Sequence, residues 1–248
     1  MDKVKPVLLK DAVGVSDLAI VMGDPDRVYL LSTLLEKPEI IYDRRGIVAV
    51  NGEYKGRKVT LASHGIGCSM ASIILEELGM LGAKTIIRIG TAGSLVEDLD
   101  VGDTVLAAGA GYMLNGCGNN MYSPEINGGT SPDPLLLSGI YYYLLNNNVK
   151  PHVGLVFTSD AFYAEENIMD KLISRGFIAI DMETAILYML GWIRKWRTLS
   201  ILVISNSLVK KTPLLTTHEL AERFIELTKL VLEYLAKYLE LNTVFTNT

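Results

Sequence analysis

Arg88 stands among Ile86, Ile87 and Ile89 in the stretch Thr85–Leu95, TIIRIGTAGSL. A guanidinium among isoleucines needs an anion or a full set of acceptors, because an unpaired buried charge is costly. Either a fixed carboxylate or a bound anion meets that need. The residues that follow, Gly90-Thr91-Ala92-Gly93-Ser94, read as a glycine-punctuated loop after a short apolar strand. Glycines let backbone N–H groups approach a ligand, and open α/β sheets bind ligands outside the C-terminal ends of their strands. Arg88 and the Thr91 hydroxyl are therefore candidates to hold a phosphate-like anion.

Other strand ends carry similar groups. Asp17–Gly23 is an apolar run ending in glycine, then Gly23-Asp24-Pro25-Asp26-Arg27 leads into the helical VYLLSTLL. Strand, glycine turn and helix gather anions at a helix N-terminus. Arg27 lies in the first turn, where a cation opposes the macrodipole. An anion explains that placement; the alternative is a solvated surface arginine. Glu183 follows Met182 at the start of another helix and can accept from vicinal hydroxyls if both its oxygens are free. The alternative is an acid favoured by the helix dipole, which suits Asp181 as N-cap better than Glu183. Phe162 can stack on a flat ring or be plain core. Asn206 follows the last strand. Arginines, an acid and aromatics at one rim match a molecule with an anion, a diol and a ring.

These positions require a frame of alternating strands and helices. Strands are expected at Asp17–Gly23, in a hairpin over 47–62 turning at Lys55-Gly56, at 85–89, 101–112, 153–158, 177–180 and 199–204. Helices are expected from SMASIILEELGML, from Pro134 to Asn147, from AEENIMDKLISRG, from AILYMLGWI, and from Thr216 or Thr217 through Leu241, with NTVFTNT frayed. Residues 113–134 read as a long loop, a flap or a subunit contact. The pattern predicts a single α/β domain over 1–248, with a mostly parallel or mixed central sheet flanked by helices. The 248 residues, 49% hydrophobic and 21% charged, supply an ample core. A net charge of -5 argues against general nucleic-acid binding. No apolar run reaches membrane-spanning length, and the N-terminal MDKVKPVLLKDAVG lacks the apolar region of a signal peptide. Cys68 and Cys117 are too few for a disulfide framework, so a reducing, cytoplasmic setting is the default, with one bridge between them left open. His64, His152 and His218 lack zinc-site spacing, so no metal site is expected.

Taken in order, GDPDR, RRG, HGIG, IIRIGTAGSL, SDAFY and IDMETA resemble the nucleoside phosphorylase family. That family includes hexameric purine nucleoside phosphorylases, uridine phosphorylases and archaeal methylthioadenosine phosphorylases. The resemblance runs from about Asp17 to the last helix. It implies that Gly23, Arg27, Arg88 and Thr91 hold phosphate, with Arg45 contributed by a neighbouring subunit. It implies that Met182 and Glu183 hold the ribose, and that the base lies against Ala92, Gly93, Phe162, Ile180 and Asn206. Arg88 and Asn206 are the residues implied to act in catalysis. The implied reaction is phosphorolysis of purine-type nucleosides to free base and (deoxy)ribose 1-phosphate, with inorganic phosphate as co-substrate and no cofactor. The implied assembly is at least a dimer, with a hexamer expected.

Two positions depart from the family pattern. Asn206 stands where purine-cleaving members have an aspartate. An amide cannot supply a proton as an acid does, but it can donate to O6 and accept from N7–H of a 6-oxopurine. No histidine stands near Val7, where members often have one, which fits either a less polar 5′ group or a loosened site. AEENIMDKLI lacks the glutamine and arginine of the pyrimidine branch, which disfavours uridine. A uridine phosphorylase, a nucleosidase of the same fold, and a weak nucleoside-binding paralogue remain alternatives.

Overall fold

The computed structural model describes residues 5–124, 126 and 128–239. Its frame is set by short, fully apolar runs that bury both faces. Strand β1 (Leu18–Met22) is buried along its whole length, with Ala19 and Val21 in one core and Leu18, Ile20 and Met22 in the other. Such runs suit the middle of a sheet covered by helices on both sides. Helix α1 (Pro25–Ser32) begins with Pro25, and Asp24 caps it by accepting from the Asp26 N–H.

The hairpin is β3 (Ile47–Tyr54) and β4 (Arg57–Ser63), turning at Lys55 and Gly56 with φ of 49° and 80°. Two left-handed residues are what a tight primed turn requires. An outer strand, β2 (Glu36–Arg44), also pairs with β3, and no strand was expected there. Its charges and Pro38 hide it, yet both are tolerated on an exposed edge strand. Helix α2 (Cys68–Leu81) leads to β5 (Thr85–Ser94).

Strand β5 corrects one expectation. Gly90–Ser94 is not a loop but the second half of the strand. Gly90, Thr91 and Ala92 pair with Leu202, Val203 and Ile204 of β9 (Arg197–Ser207), and a register shift follows Ala92. Glycine is permitted in this strand because Arg88 curls back over Gly90, where a Cβ would collide with the guanidinium.

The remaining elements are β6 (Thr104–Tyr112), α3 (Asn119–Tyr122), α4 (Pro134–Asn146), β7 (His152–Thr158), a 3-10 turn (Phe162–Asn167), α5 (Met169–Ile173), β8 (Phe177–Asp181), α6 (Thr184–Arg194) and α7 (Ala221–Tyr238). The expected helix over 164–176 is therefore broken at Ile168, and neither piece has a side-chain cap. Helix α7 starts later than Thr216 or Thr217. Thr216 turns onto Glu219, with both its N–H and its hydroxyl donating to Glu219 Oε2 at 2.8 Å, and Thr217 is engaged elsewhere. Leu241 and the NTVFTNT tail lie outside the described residues.

All nine strands join one sheet in the order β2-β3-β4-β1-β5-β8-β7-β6-β9. An additional β5–β9 pairing closes β5, β8, β7, β6 and β9 into a ring. The sheet is mixed: β5 runs parallel to β1 and β9 but antiparallel to β8. Strands β5 and β8 touch only at Gly93–Ile180 and Ser94–Ala179, so their C-terminal ends overlap although they run in opposite directions. That overlap brings the two ends together without a fully parallel sheet.

Cys68 and Cys117 form a disulfide, with Cα atoms 5.1 Å apart, tying the start of α2 to the segment before α3. A standing bridge fits poorly with the reducing default, because disulfides persist in oxidising or disulfide-tolerant settings. No helix among the described residues is long and apolar enough to cross a membrane.

Helix α2 approaches the Trp196 indole through Gly79, where a Cβ would overlap the ring. Gly79→Ala should lower unfolding free energy by about 1–3 kcal/mol despite its better helix propensity. Urea denaturation measures this, and an unchanged midpoint would show that Trp196 yields freely.

Candidate functional site

Arg88 is 3% exposed and points along β5 over Gly90, toward the end of β8. Its Nη1 lies 3.0 Å from Asp181 Oδ2 and 3.3 Å from Ser200 Oγ, and its Nη2 donates to Glu183 Oε2. The open question of carboxylate or anion is thus answered in the first instance by two carboxylates. Nε is buried and has no partner.

Asp181 is the residue that sequence reasoning undervalued. It does serve the start of α6, as foreseen, by accepting from the Thr184 N–H at 3.0 Å and the Thr184 hydroxyl at 2.5 Å. It also accepts from Thr158 Oγ1 at 2.9 Å and pairs with Arg88. Burial pushes its carboxyl up, against the pull of Arg88. The Thr184 and Ser200 hydroxyls, 2.8 Å apart, complete a buried network around the guanidinium. The available signal was IDMETA itself, with a second acid two residues before Glu183.

Glu183 is 5% exposed, and both oxygens are already in use. Oε1 accepts from the Gly67 N–H at 2.7 Å and Oε2 from Arg88. The expectation of two free oxygens is corrected to one remaining lone-pair site on each, since a carboxylate offers about four. Met182 beside it is half-buried.

Arg27 is not a solvated surface residue. It is 4% exposed, donating from Nη1 to the Ile89 carbonyl and from Nη2 to Thr217 Oγ1, each at 3.2 Å. Its guanidinium carbon stands 4.0 Å from the Phe224 ring centroid, a cation–π contact. Thr217 passes a hydrogen bond on to Asp24 Oδ2 at 2.5 Å. Among the described residues no carboxylate lies within ion-pair distance of Arg27, and its Nε is buried without a partner. Burial lowers its pKa to about 10, which leaves it charged at neutral pH.

Gly23, half-buried, packs against the next glycine crossing. A Cβ there would stand 3.2 Å from the Gly65 carbonyl oxygen and 3.8 Å from His64 Cε1. His64 is fully buried, and burial with the nearby Arg88 charge drives its pKa down to about 3. Thr91 is half-buried on β5.

The base-side set is partly assembled by register. Gly93 pairs with Ile180 on one side and Asn206 on the other. A Cβ on Gly93 would lie 3.3 Å from both Ile180 Cγ2 and Asn206 Oδ1 and would collide with Leu208. Asn206 Oδ1 accepts from Ser205 Oγ at 3.3 Å, which orients the amide. Ala92, buried, offers its carbonyl to Ser205 Oγ at 3.3 Å. Phe162 is 44% exposed and stacks edge-on with Tyr163, so it is not core, and no contact ties it to Gly93 or Asn206. Arg45 is exposed at the β2–β3 turn with φ of 57°, apart from this cluster. Val7 is 70% exposed, its N–H on Glu77.

Two stability predictions follow from the buried charges. Asp181→Ala strands Arg88, and should cost about 3–5 kcal/mol in denaturant unfolding; a loss below about 1 kcal/mol would show that Glu183 alone suffices. His64 is held neutral while its unfolded counterpart takes up a proton below about pH 6.5, so acid favours the unfolded state. Stability should fall by about 2 kcal/mol between pH 6.5 and 5 from this group, and His64→Gln should flatten that slope. An identical slope in the variant would contradict the assignment.

Comparison with known proteins gives the family. The family model described as the Phosphorylase superfamily matches residues 17–240. A guanosine phosphorylase from Halorubrum lacusprofundi is 33% identical over 206 residues, covering 83% of this chain and 84% of that protein. A DeoD-type purine nucleoside phosphorylase from Levilactobacillus brevis is 34% identical over 230 residues, covering 90% and 95%. Among solved structures, a uridine phosphorylase from Vibrio fischeri superposes with a TM-score of 0.81 at 28% identity, covering 95% of this chain and 99% of that one. The family model spans most of its length and the relatives cover it closely, so this chain belongs to the phosphorylase superfamily.

Proposed function

We propose that this enzyme, a pentosyltransferase of the nucleoside phosphorylase type, cleaves purine nucleosides, with 6-oxopurines preferred. The observation that carries the reading is Arg27, a buried charged guanidinium with no carboxylate within ion-pair distance among the described residues, Asp24 reaching it only through Thr217, beside a second arginine whose pairing already includes Glu183. A cation left so in a dry site is stabilised when an anion enters. Inorganic phosphate at Gly23, Arg27, Thr91 and the free Nε of Arg88 meets that need.

Glu183 has one lone-pair site left on each oxygen and receives the two ribose hydroxyls. Its bond to Arg88 then couples sugar to phosphate through a single carboxylate. The phosphate oxygen attacks C1′ as the N-glycosidic bond stretches, and positive charge builds on the sugar. The bound phosphate dianion and the Glu183 carboxylate lie where they stabilise that charge. The base leaves with the bonding pair. Asn206 donates to O6 through its amide N–H groups while Ser205 holds the amide oxygen. Held this way, the amide matches a 6-oxo group and gives an adenine amino group no acceptor of equal quality.

The guanosine and purine nucleoside phosphorylase names of the similar proteins support a purine base. No resident cofactor is part of this reading. Arg45 at an exposed turn suits a group that completes a neighbour's site, which makes an oligomer of at least two, and a hexamer by family resemblance, part of the proposal.

Base release from inosine and guanosine should require phosphate and exceed that from adenosine, methylthioadenosine and uridine by at least about 10-fold, the worth of one mismatched hydrogen-bonding edge. Arg27→Ala should raise the phosphate KM at least about 30-fold while shifting nucleoside KM only a few-fold. Release that proceeds at full rate without phosphate would point to hydrolysis instead. Inertness on all five nucleosides, with activity gained in Asn206→Asp, would make the chain a nucleoside-binding paralogue.

A further inference from the structure

His64 follows β4 and donates its backbone N–H to the Met22 carbonyl at 2.8 Å, which seats it beside the β1–α1 turn. The ring is fully buried, with Nδ1 2.8 Å from the Gly65 carbonyl oxygen. A carbonyl only accepts, so Nδ1 carries the proton in that contact. In a neutral imidazole, Nε2 is then a bare acceptor. Burial and the charges of Arg88 and Arg27 hold the ring neutral. Nε2 is buried and has no partner among the described residues.

The position of that lone pair matters. Cε1, which lies between the two ring nitrogens, stands 3.8 Å from where a Cβ on Gly23 would be, so the ring borders the glycine turn ahead of Arg27. Both buried arginines are near enough to act on the ring's charge. An acceptor among donors is an odd feature in an anion cradle, because an anion's oxygens would meet it lone pair to lone pair. It becomes favourable when one of those oxygens carries a hydrogen.

Resting on the phosphorolysis reading, we propose that His64 Nε2 accepts a hydrogen bond from the P–O–H of hydrogen phosphate, so that the site admits this protonated oxyanion and rejects sulfate. Sulfate has the same shape and the same charge as hydrogen phosphate but no proton to donate at neutral pH. The arginines attract either ion; His64 discriminates between them. This is a specificity role, and it leaves the attacking oxygen free.

The test compares inorganic phosphate with sulfate at fixed ionic strength and pH 7.5. Phosphate KM comes from base release, and sulfate Ki from its competition with phosphate. In the wild type, sulfate should bind at least about 30-fold more weakly than phosphate, the penalty of a buried acceptor left facing an acceptor. His64→Gln presents an amide that can turn its N–H toward the anion, and should bring sulfate to within about 5-fold of phosphate. Wild-type binding of the two ions within about 3-fold would overturn the proposal while leaving phosphorolysis standing. Discrimination that persists unchanged in His64→Gln would overturn it as well. Base release that ignores phosphate altogether would remove the reading on which it rests.

Discussion

The buried charge cluster around Arg88 constrains everything near it. A guanidinium placed in the middle of a sheet has to be matched on all sides, since its desolvation costs several kcal/mol. Asp181 and Glu183 supply the charge, Ser200 accepts a further bond, and Thr184 and Thr158 donate to Asp181, while Nε of Arg88 has no partner among the described residues. Meeting that demand sets the geometry. Strand β8 must end against β5, α6 must begin where Asp181 can reach Thr184, and the α2 entry must bring the Gly67 N–H to Glu183. The closed ring of strands makes this possible, because β5 is held by β1, β8 and β9 at once.

The same cluster divides labour between the two arginines. Arg88 is compensated internally and fixes the Glu183 carboxylate. Arg27 is held by a carbonyl, a hydroxyl and an aromatic ring, none of which cancels its charge. One arginine therefore organises the site and the other keeps an appetite for an anion. A fully compensated pair would be a more stable core with less to offer an anion, the usual opposition between stability and a functional site.

Much of this was legible in the residues. Arg88 among isoleucines, Arg27 in a helix's first turn and Glu183 beside Met182 each broke a local rule, and such breaks tend to fall at functional sites. What could not be read was the partner of each charge. Pairing Arg88 with Asp181 spans residues far apart in the chain, and only the β5–β8 overlap reveals it. Gly90 and Gly93 read as loop residues in the sequence for the same reason. Their lack of a side chain serves Arg88 above one and the Ile180–Asn206 junction around the other, and both needs are tertiary. Strand β2 was missed because an exposed edge strand carries no apolar alternation to find. Thr217 reads as a candidate helix start, whereas its hydroxyl bridges Arg27 and Asp24.

The central claim is that Arg27 holds the anion while Glu183, fixed by Arg88, holds the sugar. A crystal structure grown with inorganic phosphate and a non-cleavable purine nucleoside tests it most directly. The account predicts phosphate oxygens within hydrogen-bond distance of Arg27 and the Gly23 N–H, a ribose hydroxyl on each Glu183 oxygen, and an intact Arg88–Asp181 pair. Phosphate bound away from Arg27, or a sugar that leaves Glu183 untouched, would contradict it.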